Sequence, residues 1–186
     1  MNISYCTNCH NRLWQLKLTL PENLKFTKKD EIDIVVLAYN DDAVKPYLEK
    51  TYPEHIADGR LKVFEVNDGK EYQFGVVKNL VHNAATGRVL FNLDSDNFIL
   101  GTPEKLADLK DDEILISHLP LVDGRGGRIG VTKTVFDVVG GYRDGQDVPD
   151  DVDFIKRVKE IAPTVKYETC PRRPLPNKPF RNIFTL

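Results

Sequence analysis

The apolar run IDIVVLAY, from Ile32 to Tyr39, constrains the fold of this chain more than any other stretch. Only Asp33 interrupts it, and the remaining side chains are mostly β-branched or large and apolar. Such a run is typical of a strand that is buried on both faces, as in the middle of a parallel sheet. It is far shorter than the roughly 20 apolar residues that a membrane-spanning helix needs. We therefore expect a central strand here and no membrane span.

Other strands and helices alternate along the chain. Short β-prone runs predict further strands over 2–6, 61–66, 88–94 and 113–119. Helical spacing, caps and stop signals predict helices over 12–20, 42–50, 74–85, 102–110, within 131–139 and over 150–161. Pro21 is expected to mark the connection after the first of these helices. The alternation predicts an α/β fold, a single domain whose mostly parallel central sheet is flanked by helices.

Length and composition narrow the class of protein further. The 186 residues suit one domain, and we expect it over 1–170, followed by an extended tail over 171–186 that is rich in proline and basic residues. A net charge of −2 and a pI near 6.1 give no reason to expect nucleic acid as the main partner. The N-terminus lacks the pattern of a signal peptide, and three cysteines do not form a disulfide framework. These features predict a cytoplasmic setting.

Two carboxylates follow a predicted strand in the triplet Asp94-Ser95-Asp96. Ligands of open α/β sheets bind at the carboxyl ends of the strands, and oxygen ligands suit Mg²⁺ or Mn²⁺. A divalent ion at this place would neutralise a diphosphate leaving group. Aspartate and serine are also common in ordinary turns, so the triplet alone leaves both interpretations open.

A second acidic cluster, Asp150, Asp151 and Asp153, begins a predicted helix. Acids in a first turn offset the helix dipole and cap free N–H groups, which by itself explains them. The functional interpretation is that one carboxylate faces a pocket as a general base. Consecutive helical positions point about 100° apart. We expect Asp150 to cap the helix, Asp151 to face the pocket and Asp153 to support the cap or the preceding loop.

The segment from Cys6 to His10 matches the pattern C-x-x-C-H of covalent haem sites. The export context of such sites is missing, and Met1 is the only methionine available as a second ligand. A thioredoxin-like redox pair remains open. A zinc site would need a fourth ligand, and Cys170 is the only other cysteine. We favour thiols that pack around the first strand-to-loop turn.

The glycine-rich segment from Gly124 to Gly130 does not satisfy the dinucleotide pattern G-x-G-x-x-G, because Ile129 stands at the last glycine position. A mobile loop that approaches a sugar and a plain connection both remain open. The histidines show no spacing that suggests a metal cluster. We expect His82 on the exposed face of its helix and His118 inside or just past a strand.

Four sequence blocks, taken in order, resemble the GT-A fold glycosyltransferases, especially the family 2 type and the relatives of the β-1,4-galactosyltransferases. The blocks are CTNCHNRLWQLKLTLPENL, VVKNLVHNAATGRVLFNLDSDNFI, GGRIGVTKTVFDVVGGY and PDDVDFIKRV. They look like the first strand with its nucleotide loop, the helix and strand before the Asp-x-Asp motif, the acceptor-side segment, and the helix start that carries the catalytic base. Together they cover most of residues 2 to 158.

The resemblance implies roles for individual residues. The implied nucleotide-binding residues are Thr7, Asn11, Arg12, Asn40 or Asp41, Lys78, Asn79 and Asp94. Asp96 is implied as the direct metal ligand, and Asp94 reaches the ribose or a metal-bound water. Asp151 corresponds to the general base, and Asp150 would hold the acceptor.

The implied activity is an inverting sugar transfer of the hexosyltransferase type. The donor is a nucleotide-sugar, a UDP-sugar by default, and the acceptor is the hydroxyl of a saccharide or another molecule. The cofactor is Mn²⁺ or Mg²⁺. C-terminal segments of this fold class often close over the donor diphosphate, so the basic tail is expected either to order when nucleotide binds or to remain a frayed terminus.

Three departures from the family pattern keep alternatives open. Asp150 stands where glutamate is usual, RDGQDVP replaces a stretch with tryptophan and glycine, and no histidine follows His118. A catalytically silent module that binds nucleotide-sugars would fit these changes. A nucleotidyltransferase has a similar sheet, but it would normally carry a glycine-rich loop after the first strand, and CTNCHNR contains no glycine.

Overall fold

The structure of the chain, a computed structural model, describes residues 2–117, 126–145 and 147–178. The expectations for His118, for Gly124 and Arg125 of the glycine-rich segment, and for Arg181 of the tail lie outside these residues. Within them the chain forms a single α/β domain with a seven-stranded, mostly parallel sheet flanked by helices. The fold class predicted from the alternation of elements is confirmed.

The sheet has the strand order β3-β2-β1-β4-β6-β5-β7. Its strands are β1 (Ile3–Cys9), β2 (Ile32–Tyr39), β3 (Leu61–Val66), β4 (Val89–Asn92), β5 (Glu113–Ser117), β6 (Ile129–Thr132) and β7 (Thr164–Glu168). β1 pairs in parallel with both β2 and β4, whereas β6 runs antiparallel to its neighbours β4 and β5. The carboxyl ends of β1, β2 and β4 therefore meet at one edge of the sheet.

Seven helices accompany these strands in the described part of the chain. They are α1 (Leu13–Asn23), α2 (Val44–Thr51), α3 (Pro53–Ala57), α4 (Phe74–Ala84), α5 (Pro103–Ala107), α6 (Lys133–Val139) and α7 (Asp150–Ile161). A short 3₁₀ turn, Leu24–Phe26, extends α1. Over the described ranges, none of the helices has both the length and the apolar character to cross a membrane.

The sheet separates two apolar cores, and β2 contributes to both. Ile34 and Val36 pack in the core on one face, and Val35 and Leu37 pack in the core on the other. This alternation follows from the period of two along a strand. Each of these side chains is almost fully buried, and full burial of such a side chain contributes about 1.5–3 kcal/mol. The prediction of a strand buried on both faces is confirmed.

The predicted end of the first helix, before Pro21, is wrong. Pro21 lies inside α1 rather than in a connection, because the helix continues far enough to bury Leu20 and Leu24 against the sheet. The short helix predicted within 131–139 is present as α6, which begins at Lys133, whereas Val131 belongs to β6. The β-branched residues of β6 fill the gap between β4 and β5, which is a pairing between distant segments that local spacing does not reveal. The elements α3, β6 and β7 were not predicted.

His82 is buried, which corrects the expectation that it faces solvent. Its side chain is 2% exposed, its ring stacks on Phe136 at 5.0 Å, and its Nδ1 lies 2.7 Å from the backbone oxygen of Lys78. Burial lowers the pKa of His82 to about 3. The imidazole is therefore neutral at physiological pH and belongs to the core.

Cys6 and Cys9 are both buried in β1, but they pack in opposite cores. They are three positions apart, and an odd spacing along a strand places side chains on opposite faces. Burial raises the pKa of Cys9 to about 12 and that of Cys6 well above its usual value. The two thiols therefore cannot share one metal or one haem, and burial disfavours the thiolate that redox chemistry requires.

Candidate functional site

A cleft opens at the carboxyl ends of the central parallel strands, where open α/β sheets usually bind ligands. Its lining comes from the end of β1, the start of α1, the region before and within α4, the loop after β4, the start of α7 and the C-terminal segment. The lining residues are Asn8, His10, Arg12, Gln15, Tyr72, Phe74, Lys78, Asp94, Ser95, Asp96, Asp150, Asp151 and Asn177. Both acidic clusters singled out in the sequence thus border the same cleft.

Asp94 and Asp96 lie in the loop after β4. Asn92 donates its side-chain N–H to Asp94 Oδ1 at 3.1 Å and to the backbone oxygen of Gly127 at 2.7 Å. Asn97 donates to Asp96 Oδ1 at 2.7 Å. Burial, together with the negative charge of Asp94, raises the pKa of Asp96 to about 6. The negative charges of Asp94 and Asp96 repel each other, so a cation bound between them would be stabilised.

The donor chemistry of this loop fits a divalent ion such as Mn²⁺ or Mg²⁺, because hard cations prefer carboxylate oxygens. In the described ranges, no group of three or more His, Cys, Asp or Glu side chains is arranged to hold a metal. Asp94 and Asp96 are the carboxylates of this loop that could ligate such an ion, and Mg²⁺ usually takes its remaining ligands from substrate phosphates and water.

Gly127 leaves the space that brings the two acidic clusters together. A Cβ atom at this position would lie 2.6 Å from Asp94 Oδ2 and 3.2 Å from Asp151 Oδ2. The two carboxylates therefore point at one small volume from two different elements. Any side chain here would push them apart. Gly127 is required because the two carboxylates approach its backbone closely, and not because its backbone adopts an unusual conformation.

Lys78 links the acid pair at the start of α7 to α4. Its Nζ lies 2.6 Å from Asp150 Oδ2 and 2.5 Å from Asp151 Oδ1, and its side chain is only 3% exposed. Burial alone would lower the pKa of Lys78, but Asp94, Asp151 and Asp150 outweigh it and raise that pKa. A permanent cation thus lies among three carboxylates at the centre of the cleft.

Asp151 has the properties that a general base needs. Burial raises its pKa to about 6, the positive charge of Lys78 opposes that rise, and the charges of Asp94 and Asp150 add to it. The carboxylate is ionised at neutral pH and is a stronger base than an ordinary aspartate. Its place in the cleft wall gives it access to a bound substrate.

The start of α7 differs in one respect from the expectation. Asp150 does not cap the helix: Pro149 occupies the N-cap position, no side chain caps it, and Asp150 instead binds Lys78. Asp153 pairs with Arg157 at 2.7 Å, and Arg157 donates to the backbone oxygens of Val139 and Gly141. Asp153 thus supports the preceding loop, as predicted, while Asp150 and Asp151 both face the cleft.

Several residues expected at the nucleotide lie next to the cleft rather than in its lining. Thr7 is buried within β1, while its neighbour Asn8 lines the cleft. Asn79 is turned to the backbone of Tyr142: its Nδ2 donates to the oxygen at 2.9 Å, and its Oδ1 accepts from the N–H at 2.8 Å. Both polar atoms of Asn79 are thereby used to hold the loop after α6, which explains why the side chain does not reach the cleft.

Asn11, Asn40 and Asp41 hold the loops at the rim of the cleft. Asp41 Oδ2 accepts the backbone N–H of Asn11 at 3.0 Å. Asn40 donates to the backbone oxygen of Lys70 at 2.9 Å and accepts from the N–H of Gly69 at 3.1 Å. Asn11 and Asn40 adopt positive φ angles of 55° and 45°, a conformation that asparagine tolerates better than most residues. These residues shape the rim where β1 and β2 end.

The C-terminal segment packs over the loop that carries Asp96. The N–H of Leu175 donates to the backbone oxygen of Asp96 at 2.9 Å, and Gln15 donates to the oxygen of Pro176 at 2.8 Å. Arg12 donates to the backbone and side-chain oxygens of Asn177 at 3.0 and 3.1 Å. Asn177 of this segment therefore forms part of the cleft wall.

Six residues of the lining were not predicted from the sequence. They are Asn8, His10, Gln15, Tyr72, Phe74 and Asn177. The position of Asn8 near the end of the first strand was a usable signal, because strand ends form the site in this architecture. Phe74 was taken only as the first apolar position of a helix, and Asn177 as part of a terminal tail.

Comparisons with known proteins bear on the fold. No protein-family model matches the chain, and no curated protein matches it significantly. Among solved structures, a fragment of S. aureus TarS in complex with UDP-GlcNAc matches with a TM-score of 0.68 and 16% identity, over 92% of this chain and 59% of that one. A mannosyltransferase of Pyrobaculum calidifontis, in complex with GDP-Man and Mn²⁺, matches with a TM-score of 0.69 and 12% identity, over 90% of this chain and 55% of that one.

The chain has the GT-A fold. A nucleotidyl transferase from Methanothermobacter also matches, with a TM-score of 0.59 and 11% identity, over 92% of this chain and 88% of that one. The chain spans less than two thirds of the length of the TarS fragment and of the mannosyltransferase. At these identities the comparisons establish the architecture of the sheet and its helices, and the chemistry has to be argued from the cleft.

Proposed function

We propose that this chain is the nucleotide-sugar-binding and catalytic domain of a metal-dependent, inverting glycosyltransferase of the hexosyltransferase type. The observation that carries the proposal is that Asp94, Asp96 and Asp151 converge on one cleft at the strand ends of a GT-A fold. The donor would be a nucleotide-sugar, by default a UDP-sugar, and the acceptor a hydroxyl group. Four sequence blocks in family order support a relation to the β-1,4-galactosyltransferases.

The domain would extend over 1–170, with the proline-rich basic segment 171–186 as an addition to the donor side. The contacts of Arg12 and Gln15 with Asn177 and Pro176 support the place of the segment on the donor side, because they join it to the start of α1. A nucleotide bound between α1 and the loop after β4 would contact both. Arg12 supplies a positive charge for its phosphates.

On the donor side, Asp96 and Asp94 would hold a divalent ion together with the diphosphate. When bound, the ion supplies positive charge that stabilises the leaving nucleoside diphosphate. Asp94 is fixed by Asn92, and the loop is fixed by Leu175 through the backbone of Asp96. The carboxylates are therefore preorganised, which avoids reorganisation when charge develops on the leaving group.

On the acceptor side, Asp151 would take the proton from the attacking hydroxyl. The hydroxyl oxygen then bonds to the anomeric carbon as the bond from that carbon to the diphosphate oxygen breaks, and the configuration is inverted. Lys78 keeps Asp151 in place and ionised. Asp150, bound to the same lysine, would orient the acceptor. General-base assistance of this kind typically accelerates a reaction by about 10²–10⁴-fold.

A nucleotidyltransferase is the second candidate, favoured by the match that covers most of the Methanothermobacter protein. Such an enzyme would consume a nucleoside triphosphate and a sugar phosphate and release pyrophosphate. The absence of glycine between Cys6 and Leu13 argues against it, because no glycine-rich loop can cradle a triphosphate after β1. A third possibility, a catalytically silent module, would bind the nucleotide-sugar without turning it over.

A panel of nucleotide-sugars and nucleoside triphosphates, with and without Mn²⁺, tests the proposal by thermal shift and calorimetry. A ligand at 100 times its dissociation constant stabilises the protein by about 2.7 kcal/mol. We expect stabilisation by a nucleotide-sugar and by its diphosphate, lost with EDTA and weakened in Asp96→Asn. Equal affinity for the diphosphate with and without EDTA would contradict the metal role. Preference for a triphosphate would favour the second candidate.

A further inference from the structure

An aromatic wall, formed by His10, Tyr72 and Phe74, borders the acid pair in the cleft. The rings of His10 and Tyr72 stack at 5.1 Å with an interplanar angle of 19°, and Phe74 meets Tyr72 edge to face at 5.1 Å. The hydroxyl of Tyr72 donates to Asn8 Oδ1 at 2.6 Å and fixes the middle of the wall. The wall is thus held by contacts within the protein before any ligand binds.

Phe74 is the exposed end of this wall. Its side chain is 57% exposed, whereas Tyr72 is half-buried. An aromatic ring in water gives up the stabilisation that burial would provide. The proposed function as stated above assigns no role to Phe74, although it lies in the same cleft as the catalytic carboxylates. A cleft that combines an aromatic surface with a few polar groups is typical of a ligand-binding site.

The position of Phe74 on α4 connects it to the acid pair. Phe74 lies four residues before Lys78, so the two side chains share one face of the helix and are one turn apart. Lys78 in turn binds Asp150 and Asp151. Phe74 therefore lies on the helix that holds the proposed base, and both residues line the same cleft.

The start of α4 is also fixed to the loop that leads into α7. The backbone N–H groups of Gly75 and Val76 donate to Asp144 Oδ1 and Oδ2, both at 2.8 Å. A Cβ atom at Gly75 would lie 2.7 Å from the Asp144 carboxylate, so only glycine allows this approach. The start of α4, and with it Phe74, is therefore held next to the chain that precedes Asp150.

We propose that Phe74, supported by Tyr72, is a stacking platform for a pyranose ring of the acceptor, so that the acceptor is a saccharide. A pyranose has an apolar face of C–H groups and a rim of hydroxyls. The exposed ring of Phe74 suits that face. Asp150 and Asp151, which are held by Lys78 one helical turn from Phe74, line the same cleft to receive the hydroxyls. An acyclic hydroxyl compound has no such face. The inference rests on the proposed acceptor side of the cleft and specifies the substrate class.

Ligand-observed NMR titration with a panel of methyl α- and β-hexopyranosides tests the platform, with sorbitol as the acyclic polyol. The protein is used with and without UDP and Mn²⁺. We expect at least one pyranoside to bind more tightly than sorbitol, and Phe74→Ala to weaken it by about threefold to tenfold, the scale of one aromatic contact. Phe74→Tyr should retain binding. Val76→Ala, on the same helix and 44% exposed, serves as the matched control and should bind as the wild type does.

Calorimetry with UDP on the same variants separates the outcomes. Unchanged UDP affinity in Phe74→Ala, together with weakened pyranoside binding, supports the platform. Pyranoside binding that depends on Phe74 in a protein that binds no nucleotide would also support it, while contradicting the proposed transferase. The platform is overturned if no pyranoside binds better than sorbitol, or if Phe74→Ala binds pyranosides as the wild type does. Loss of UDP affinity alone would overturn it in favour of a nucleobase contact.

Discussion

Nζ of Lys78 lies 2.5 Å from Oδ1 of Asp151, and this contact joins α4 to the first turn of α7 across the cleft. The lysine is almost completely buried, and the same Nζ holds Asp150. Removing a partner from a buried, charged arrangement leaves charge uncompensated. Lys78 thereby positions the proposed base and favours its ionised form.

The first prediction concerns the pH dependence of turnover in Lys78→Gln. The pKa of Asp151, about 6, reflects burial and the charges of Asp94 and Asp150, partly offset by Lys78. Removing the lysine raises that pKa, so protonation disables the base at higher pH. We expect the acidic limb of the kcat/KM profile to move to higher pH, with the largest loss of rate near neutral pH and partial recovery above it.

Lys78→Arg is the matched control for this prediction, because it keeps the positive charge and should leave the limb close to its original position. UDP affinity, measured by calorimetry, separates the two roles that Lys78 could have. A Lys78→Gln variant that loses UDP affinity but keeps the pH profile would show that the lysine serves the diphosphate instead.

The second prediction is that Gly127→Ala disrupts both halves of the site. The new methyl group would lie 2.6 Å from Asp94 Oδ2 and 3.2 Å from Asp151 Oδ2, and one or both carboxylates must move. We expect weaker nucleotide binding in the presence of Mn²⁺ and a fall in kcat, because displacement of reacting groups by about 1 Å can cost 100-fold in rate. Thermal melting monitors the fold. Wild-type affinity and kcat in Gly127→Ala would contradict the convergence of the two clusters.

The third prediction concerns the cysteines. Cys6 and Cys9 lie in opposite cores and burial raises the pKa of both thiols. We expect both to react slowly with a thiol reagent in the native protein and rapidly after unfolding. Elemental analysis should find no stoichiometric zinc, and the absorption spectrum no haem. One zinc per chain that is lost in Cys9→Ser would show that β1 is arranged differently.

The fourth prediction concerns the C-terminal segment. Arg12, Gln15 and the backbone of Asp96 bind residues 175–177, so the segment stabilises the donor side of the cleft. We expect Asn177→Ala to weaken UDP binding in the presence of Mn²⁺ by a few-fold, since it removes one side-chain acceptor of Arg12. Limited proteolysis should show greater protection of the segment when nucleotide and metal are present. Identical cleavage with and without ligand would indicate a frayed terminus.

The predictions from the sequence were most accurate for elements whose boundaries are determined by local sequence pattern. β2, β3 and α7 occupy the predicted ranges because their spacing and composition agree with the packing that they adopt. β6 was missed because the four residues Ile129–Thr132 form a strand only through pairing with β4 and β5. Pro21 was misjudged because burial of Leu20 and Leu24 outweighs its local preference.

In the candidate site, too, the features determined by local sequence pattern were predicted, and those that depend on contacts between distant residues were not. The two acidic clusters were found because strand ends and helix starts are legible in the sequence. The sequence did not predict which of two adjacent residues faces the cleft. Asn8 lines the cleft, whereas Thr7 does not. Lys78 also lines it, whereas Asn79 binds the backbone of Tyr142. The role of Gly127 depends on a contact between residues more than 20 positions apart, which no local motif records.

The most direct test of the account is the turnover of a nucleotide-sugar by wild type, Asp151→Asn and Asp153→Asn, with UDP affinity measured on each. Asp151→Asn should bind UDP with unchanged affinity and lower kcat by about 10²–10⁴-fold, because it removes the base and keeps its shape. Asp153→Asn should retain kcat and mainly lower the melting temperature, because Asp153 pairs with Arg157 outside the cleft. Full transferase activity in Asp151→Asn would contradict the account.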